Sequence, residues 1–139
     1  MIEAKLFSEI FEEFSNAETK QDRIAVLKKY RHPRLVDFLE YAFNRNIIFD
    51  VPVPSTYRPA PEPAGLNITY LDLEVPKMYR FIVGHPKRVS DIPPEKQTKI
   101  LTTVLEALHP DEAELLVKCI KKDLGIKFLT TKLIQEAYN

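Results

Sequence analysis

Residues 93–125 read PPEKQTKILTTVLEALHPDEAELLVKCIKKDLG, and this stretch marks two consecutive helices at both of their ends. The two opening prolines suit the first position of a helix, and apolar residues then recur at helical spacing up to Leu108. The dipeptide His109-Pro110 ends this helix and starts the next one, which finishes before Gly125. The stretch therefore predicts a pair of helices around which the rest of the chain is arranged.

The second of these helices carries acids at its start and lysines at its end. Asp111, Glu112 and Glu114 are interpreted as an acidic first turn that complements the positive end of the helix dipole. That placement explains these acids more readily than a pair of general acids would. The lysines at the negative end of the helix are Lys118, Lys121 and Lys122.

The N-terminal part of the chain predicts three more helices. Apolar residues at helical spacing indicate a helix over 3–14 and another from 33 to 44 or 46. Between them, Thr19 followed by Asp22 resembles a capping box that opens a helix reaching Tyr30. These three helices are expected to form a first helical cluster.

The middle of the chain is rich in proline. Five of the eleven prolines stand at positions 52, 54, 59, 61 and 63, which predicts an extended, polyproline-like connection over about 50–65. A helix is expected over 76–83, and Thr130 or Thr131 is expected to cap a short terminal helix. The predicted fold is all-α, a compact bundle of about seven helices in a single domain, 1–139.

Composition limits the classes of function. Lys plus Arg and Asp plus Glu each number 20, so the formal net charge is zero and any attraction to a polyanion depends on where the charges lie. The single cysteine, Cys119, allows no internal disulfide and is expected to be a packed thiol. The start of the chain lacks the pattern of a secretory signal, and no apolar run could span a membrane. We therefore expect a soluble protein of the host cytoplasm.

The sequence contains few residues in arrangements that could catalyse a reaction. His32, His85 and His109 each precede a proline, where a histidine is more often a cap or a surface residue than a base. The three scattered glycines form no phosphate-binding loop, and no residues have the spacing of metal ligands. We expect no enzyme activity, no metal and no cofactor, and an unrecognised enzyme is the least favoured alternative.

The basic residues are concentrated in three blocks. Residues 20–34 have a net charge of +5, residues 77–99 of +4 and residues 118–139 of +3. If the fold brings these blocks together, they form a positive face that could follow a phosphate backbone without reading bases. The alternative is that they are ordinary solvated helix faces.

Residues 121–131 predict a helix-turn-helix unit. A helix ending in lysines, a glycine turn and a threonine-capped helix would offer free backbone N–H groups and a positive dipole end to a phosphate. This is how a DNA-binding module that contacts only the backbone can be built. An ordinary helical hairpin that closes the core explains the same residues about as well.

Several short motifs resemble the N-terminal helical domain of ATP-dependent DNA ligases of T-even phages. They are Ser8-Glu9-Ile10, Thr19-Lys20-Gln21 with the helix that follows, the run from Leu35 to Arg45, and the segment from Glu114 to Gly125 followed by Thr130 or Thr131 before a short last helix. The run over 108–116 is also similar to an uncharacterised family of small proteins from T-even-like phages. The resemblance covers both ends of the chain and is weak over 46–99.

The resemblance implies an all-α domain that holds duplex DNA through backbone contacts in the minor groove. The lysine motif K-x-D-G of the ligase catalytic domain is absent from this sequence, so ligase activity is not implied. The matching positions that would lie on the DNA side are Lys20, Lys28, Arg45, Lys121, Lys122, Thr130 and Thr131.

The sequence supports two hypotheses, which assign different kinds of function to the protein. The first is a small, non-catalytic, phage-type accessory protein that binds duplex DNA non-specifically. The alternative is a protein-interaction module of the same fold that binds a phage protein, a host protein or a virion component. That alternative predicts an exposed apolar patch including Tyr57, Ile47 and Phe49.

Overall fold

The computed structural model describes residues 5–89 and 92–138, and throughout these ranges the regular elements are helices. The helices are α1 (Phe7–Asn16), α2 (Lys20–Lys29), α3 (Pro33–Phe43), α4 (Leu71–Glu74), α5 (Pro94–Ala107), α6 (Pro110–Ile120) and α7 (Thr131–Tyr138). A 3-10 helix over Val75–Phe81 continues directly from α4. The structure confirms the predicted all-α bundle of about seven helices.

The first three helices begin and end close to where their sequence signals stand. The predicted start of α1 at Glu3 lies outside the described residues, and within them α1 begins at Phe7. The Thr19 hydroxyl accepts a hydrogen bond from the backbone N–H of Asp22 at 3.1 Å, which is the predicted cap of α2. α3 opens with Pro33 at its first position, as expected.

The core lies between the N-terminal helices and the α5–α6 pair. Phe38 of α3 is fully buried, and its ring centre lies 5.5 Å from that of Phe7 and 6.2 Å from that of Phe11. Among the largest fully buried side chains are Phe14, Leu27, Leu35, Leu39, Leu101, Leu105, Leu108 and Leu116. Burial of these apolar faces is the main force that holds the helices together.

Glu112 lies in the acidic first turn of α6, as predicted, but its side chain bonds to two other helices. Its side chain is completely buried, and its two carboxyl oxygens accept hydrogen bonds from the backbone N–H groups of Phe7 and Leu71, each at 3.0 Å. Phe7 and Leu71 are the first residues of α1 and α4, whose N–H groups have no partner within their own helices. One carboxyl group of α6 therefore caps two other helices.

The helix predicted over 76–83 begins earlier and has a different form. It starts as α4 at Leu71, where Glu112 caps it, and becomes a 3-10 helix at Val75. Pro76 has no N–H to donate to the carbonyl four residues back, so the α-helical ladder cannot continue through it. The tighter 3-10 turns carry the chain on to Phe81.

The proline-rich connection is extended, as predicted, and it is fastened along α5. The Thr98 hydroxyl donates to the carbonyl of Pro52 at 2.9 Å, and the N–H of Arg58 donates to the Glu106 carboxylate at 2.8 Å. Thr98 and Glu106 both lie on α5. The connection is thus part of the packed domain and not a loose linker.

The three His-Pro histidines share one hydrogen-bond pattern. In each, the ring atom Nδ1 accepts the backbone N–H two residues ahead, from Arg34 at 3.2 Å, Lys87 at 3.1 Å and Asp111 at 3.1 Å. His32 and His109 are the N-caps of α3 and α6. Their interpretation as caps is confirmed.

We expect His109→Ala to lower the free energy of unfolding by about 1 kcal/mol, because the N-terminus of α6 loses its side-chain acceptor. His109→Asn should keep most of this energy, since asparagine is among the best N-cap residues. Urea denaturation followed by circular dichroism measures both variants. If both variants lose the same free energy of unfolding, the side-chain cap of α6 contributes nothing to stability.

In the described part of the chain, no helix has the length and apolar character needed to cross a membrane.

Candidate nucleic-acid interface

The turn between α6 and α7 is shaped by three residues in the left-handed backbone conformation. They are Lys122 (φ 63°), Gly125 (φ 65°) and Phe128 (φ 70°). Glycine adopts this conformation freely, whereas lysine and phenylalanine do so at a cost. Leu124 and Leu129 are buried and fix the turn to the core. The turn between α6 and α7 therefore spans ten residues, 121–130, and is anchored to the core, an arrangement that fits the helix-turn-helix unit and the ordinary helical hairpin equally.

Lys122 joins this turn to the end of α3. Its ammonium donates hydrogen bonds to the carbonyl of Tyr41 and, at 2.8 Å, to that of Asn44. Carbonyls in the last turn of a helix have no partner within the helix, so the ammonium satisfies them and complements the negative dipole end. Burial lowers the pKa of Lys122 below its ordinary value of 10.5. The side chain thus fastens the turn after α6 to the C-terminal end of α3.

Most of the predicted DNA-side residues lie just after α3, in the turn after α6 or at the start of α7. Arg45 follows Asn44, to which Lys122 is bonded, and Thr131 lines a groove of about 290 Å³ with Phe43 and Asn44. We call this place the α3–α6–α7 junction and define it by Arg45, Lys121, Lys122, Thr130 and Thr131. Apart from Lys122, each of these five residues is exposed to solvent.

The start of α7 is capped by one of the two predicted threonines. The Thr130 hydroxyl accepts a hydrogen bond from the N–H of Leu133 at 3.2 Å, and Thr131 is the first residue of the helix. The cap satisfies one N–H of the first turn. Other N–H groups there retain the positive partial charge that attracts a phosphate.

The two predicted residues on α2 lie apart from the junction. Lys20 pairs with Glu136 near the end of α7, with 3.0 Å between the ammonium nitrogen and a carboxylate oxygen. Lys28 is exposed, and within the described ranges no ion pair involves it. α2 packs against α7, and the Lys20–Glu136 pair across this contact offsets the positive charge of Lys20.

Phe128 is a feature that the sequence analysis did not single out. Its side chain is 50% exposed, and the guanidinium carbon of Arg23 lies 3.8 Å from the centre of its ring. The Lys127 ammonium lies 5.0 Å from the same ring centre. A phenylalanine in a helical protein is ordinarily a core residue, and sequence carries no signal that this one is displayed at the surface.

The remaining residues considered for chemistry include Cys119 and possible metal ligands. Burial raises the pKa of the Cys119 thiol to about 12, which suits the packed thiol that the sequence predicted. Within residues 5–89 and 92–138, no group of three His, Cys, Asp or Glu side chains could hold a metal ion.

The apolar patch named for the protein-interaction alternative does not form as predicted. Tyr57 and Phe49 pack against the core, and Ile47 is partly buried. Other apolar residues are exposed instead: Leu66 (70%), Ile68 (81%) and Leu73 (46%). A groove of about 440 Å³, lined by Leu6, Tyr70 and Leu73 among others, lies at the same segment.

Comparison with protein families finds one match. The model of a family described as "Family of unknown function (DUF6433)" matches residues 10–126, from within α1 to the turn after α6. Comparisons with curated proteins and with solved structures found no match.

Proposed function

Since the chain belongs to DUF6433, a family of unknown function, we propose a role from its own surface: it binds duplex DNA non-specifically through the phosphate backbone. The α3–α6–α7 junction is the observation that supports this role most strongly. Arg45 and Lys121 are exposed, and Asn44, which precedes Arg45, lines one groove with Thr131 at the start of α7, where backbone N–H groups add to the positive charge. Such a surface suits phosphate contacts, which carry no sequence information.

The motif resemblance supports the same role. The motifs shared with the ligase N-terminal helical domain include the end of α3 and the end of α6, which are the segments that form the junction. A domain of this kind would act in a phage-type accessory role, in which it binds DNA without catalysis of its own. Net neutrality does not oppose this, because acids are concentrated elsewhere, as in residues 100–117.

We expect Arg45→Gln and Lys121→Gln each to weaken duplex binding several-fold. Each variant removes one phosphate contact, so the plot of log K against log salt should become shallower by about 0.9 per variant. Fluorescence anisotropy of a labelled duplex at several salt concentrations measures both quantities. Lys122 is left intact in this experiment because its hydrogen bonds to α3 make it part of the fold.

Lys5→Gln is the matched control for this experiment. Lys5 is exposed and lines a groove with Glu112 of the first turn of α6, whereas Lys121 directly follows the end of that helix. Lys5→Gln removes the same formal charge as Arg45→Gln and Lys121→Gln, so an effect of net charge alone would appear equally in all three variants. Absence of binding by the unmodified protein at low salt would overturn the proposal.

The exposed apolar segment favours protein binding as a second candidate function. Leu66, Ile68 and Leu73 expose apolar side chains next to a groove, as surfaces that bind proteins commonly do. Ile68→Asp should abolish such an interaction and leave DNA binding unchanged. Weaker binding in the junction variants would support DNA binding as the function. Weaker binding in Ile68→Asp would support protein binding.

A further inference from the structure

We propose that Phe128 and Arg23 form a stacking platform for an unpaired base, so that the preferred ligand is DNA with a gap or a single-stranded end. This inference rests on the proposed function, since it names the kind of DNA that the protein prefers. Phe128 lies in the turn that leads into α7, close in sequence to the Thr130 and Thr131 of the junction.

The backbone at Phe128 provides the first argument. A bulky residue at φ 70° is unusual and costs of order 1–3 kcal/mol of conformational strain. Such strain is normally offset by burial, yet half of the Phe128 side chain remains exposed. The adjacent Leu129 is buried and anchors the chain, so the core does not require an aromatic ring at position 128. The turn holds this ring at the surface.

The surroundings of the ring provide the second argument. The Arg23 guanidinium lies over the ring at 3.8 Å, and the Arg23 side chain is also directed by a hydrogen bond to the carbonyl of Glu18 at 3.4 Å. Lys127 adds a second cation at 5.0 Å. Unpaired bases stack on aromatic rings and on guanidinium planes, while neighbouring cations hold their phosphates.

A purely structural interpretation predicts different behaviour. A cation–π contact between Arg23 and Phe128 would simply fasten α2 to the turn. In that case, replacing the ring would change the stability of the protein and would not change its choice of DNA. The proposal requires the reverse, a change in DNA preference without a loss of stability.

The absence of tryptophan from the sequence allows a direct test. Phe128→Trp introduces the only tryptophan, whose fluorescence is quenched when a base stacks on it. We expect stronger quenching by a gapped duplex than by an intact duplex of the same sequence. Phe128→Asn removes the ring but tolerates the left-handed backbone, and it should lower affinity for gapped DNA roughly 5- to 150-fold.

Ile68→Asn is the matched control, because it also replaces an exposed apolar residue, at a different surface. It should leave both affinities unchanged. If the protein binds gapped and intact duplexes equally, and the tryptophan is quenched by neither, the stacking platform is refuted while backbone binding stands. If the unmodified protein binds neither DNA, the proposed function fails together with this inference. Thermal denaturation should show Phe128→Asn to be at least as stable as the unmodified protein.

Discussion

Glu112→Ala should lower the free energy of unfolding by about 2–4 kcal/mol, one of the two largest effects that we expect from a single substitution. The substitution removes the only side chain that accepts the N–H groups of both Phe7 and Leu71, each at 3.0 Å. A buried N–H left without an acceptor costs about 1–3 kcal/mol. A domain of this kind has a total stability of about 5–15 kcal/mol, so the variant loses a large part of it.

Glu112→Gln separates hydrogen bonding from packing. Glutamine has nearly the same shape, but only one of its two terminal atoms accepts, so its amide nitrogen would face one of the two N–H donors. We expect a loss of about 1–3 kcal/mol at neutral pH, measured by guanidinium denaturation. Glu114→Gln, on the exposed side of the same helix, is the control and should have little effect.

The stability difference between the native protein and Glu112→Gln should also depend on pH. Burial raises the pKa of Glu112 above its ordinary value of 4.5, so the folded protein holds this proton more tightly than the unfolded chain does. Lowering the pH through the folded-state pKa therefore adds stability, which reaches its full value below 4.5. Denaturation curves at pH 7.5 and pH 4.5 should show the difference widening at the lower pH. If the difference narrows instead, the two N–H donors lower the pKa of Glu112 by more than burial raises it.

Lys122→Ala should lower the free energy of unfolding by about 2–3 kcal/mol. It removes the charged hydrogen bonds to the carbonyls of Tyr41 and Asn44 and keeps a strained backbone at φ 63°. Lys122→Gly loses the same bonds but adopts this backbone freely, so we expect it to be less destabilised than the alanine variant by about 1 kcal/mol. Chemical denaturation of the two variants separates the bonds from the strain.

Lys121→Ala is the matched control for Lys122, being the adjacent lysine with an exposed side chain. It should change stability by less than about 0.5 kcal/mol while weakening DNA binding. Lys122→Ala, studied well below its unfolding temperature, should keep the slope of log K against log salt of the unmodified protein, whereas Lys121→Ala should make that slope shallower by about 0.9. Equal stabilities for the two variants would contradict the role assigned to Lys122 in joining α6 to α3.

The candidate site was only partly accessible from sequence. The motifs identify Arg45, Lys121, Thr130 and Thr131, and all four are exposed. The structure connects the segments that carry them through the Lys122–Asn44 hydrogen bond and the groove that Asn44 and Thr131 line. Lys122 was named with them, although its charge is directed into the protein. The sequence does not identify Phe128, because neither its left-handed backbone nor its partner Arg23 can be inferred from the residues around it.

What the sequence determined by itself was the all-α class and the approximate ends of α2, α3, α5, α6 and α7. Thr19, Pro33 and Pro110 act within their own helical turns, so neighbouring residues are enough to interpret them. Only the tertiary structure decided what Glu112 and Lys122 do, because their partners lie far away along the chain. Glu112 bonds across 105 residues to Phe7, and Lys122 bonds across 78 residues to Asn44. A charged side chain near a helix end has the same local pattern whether it meets water or another helix, and only packing determines which it meets.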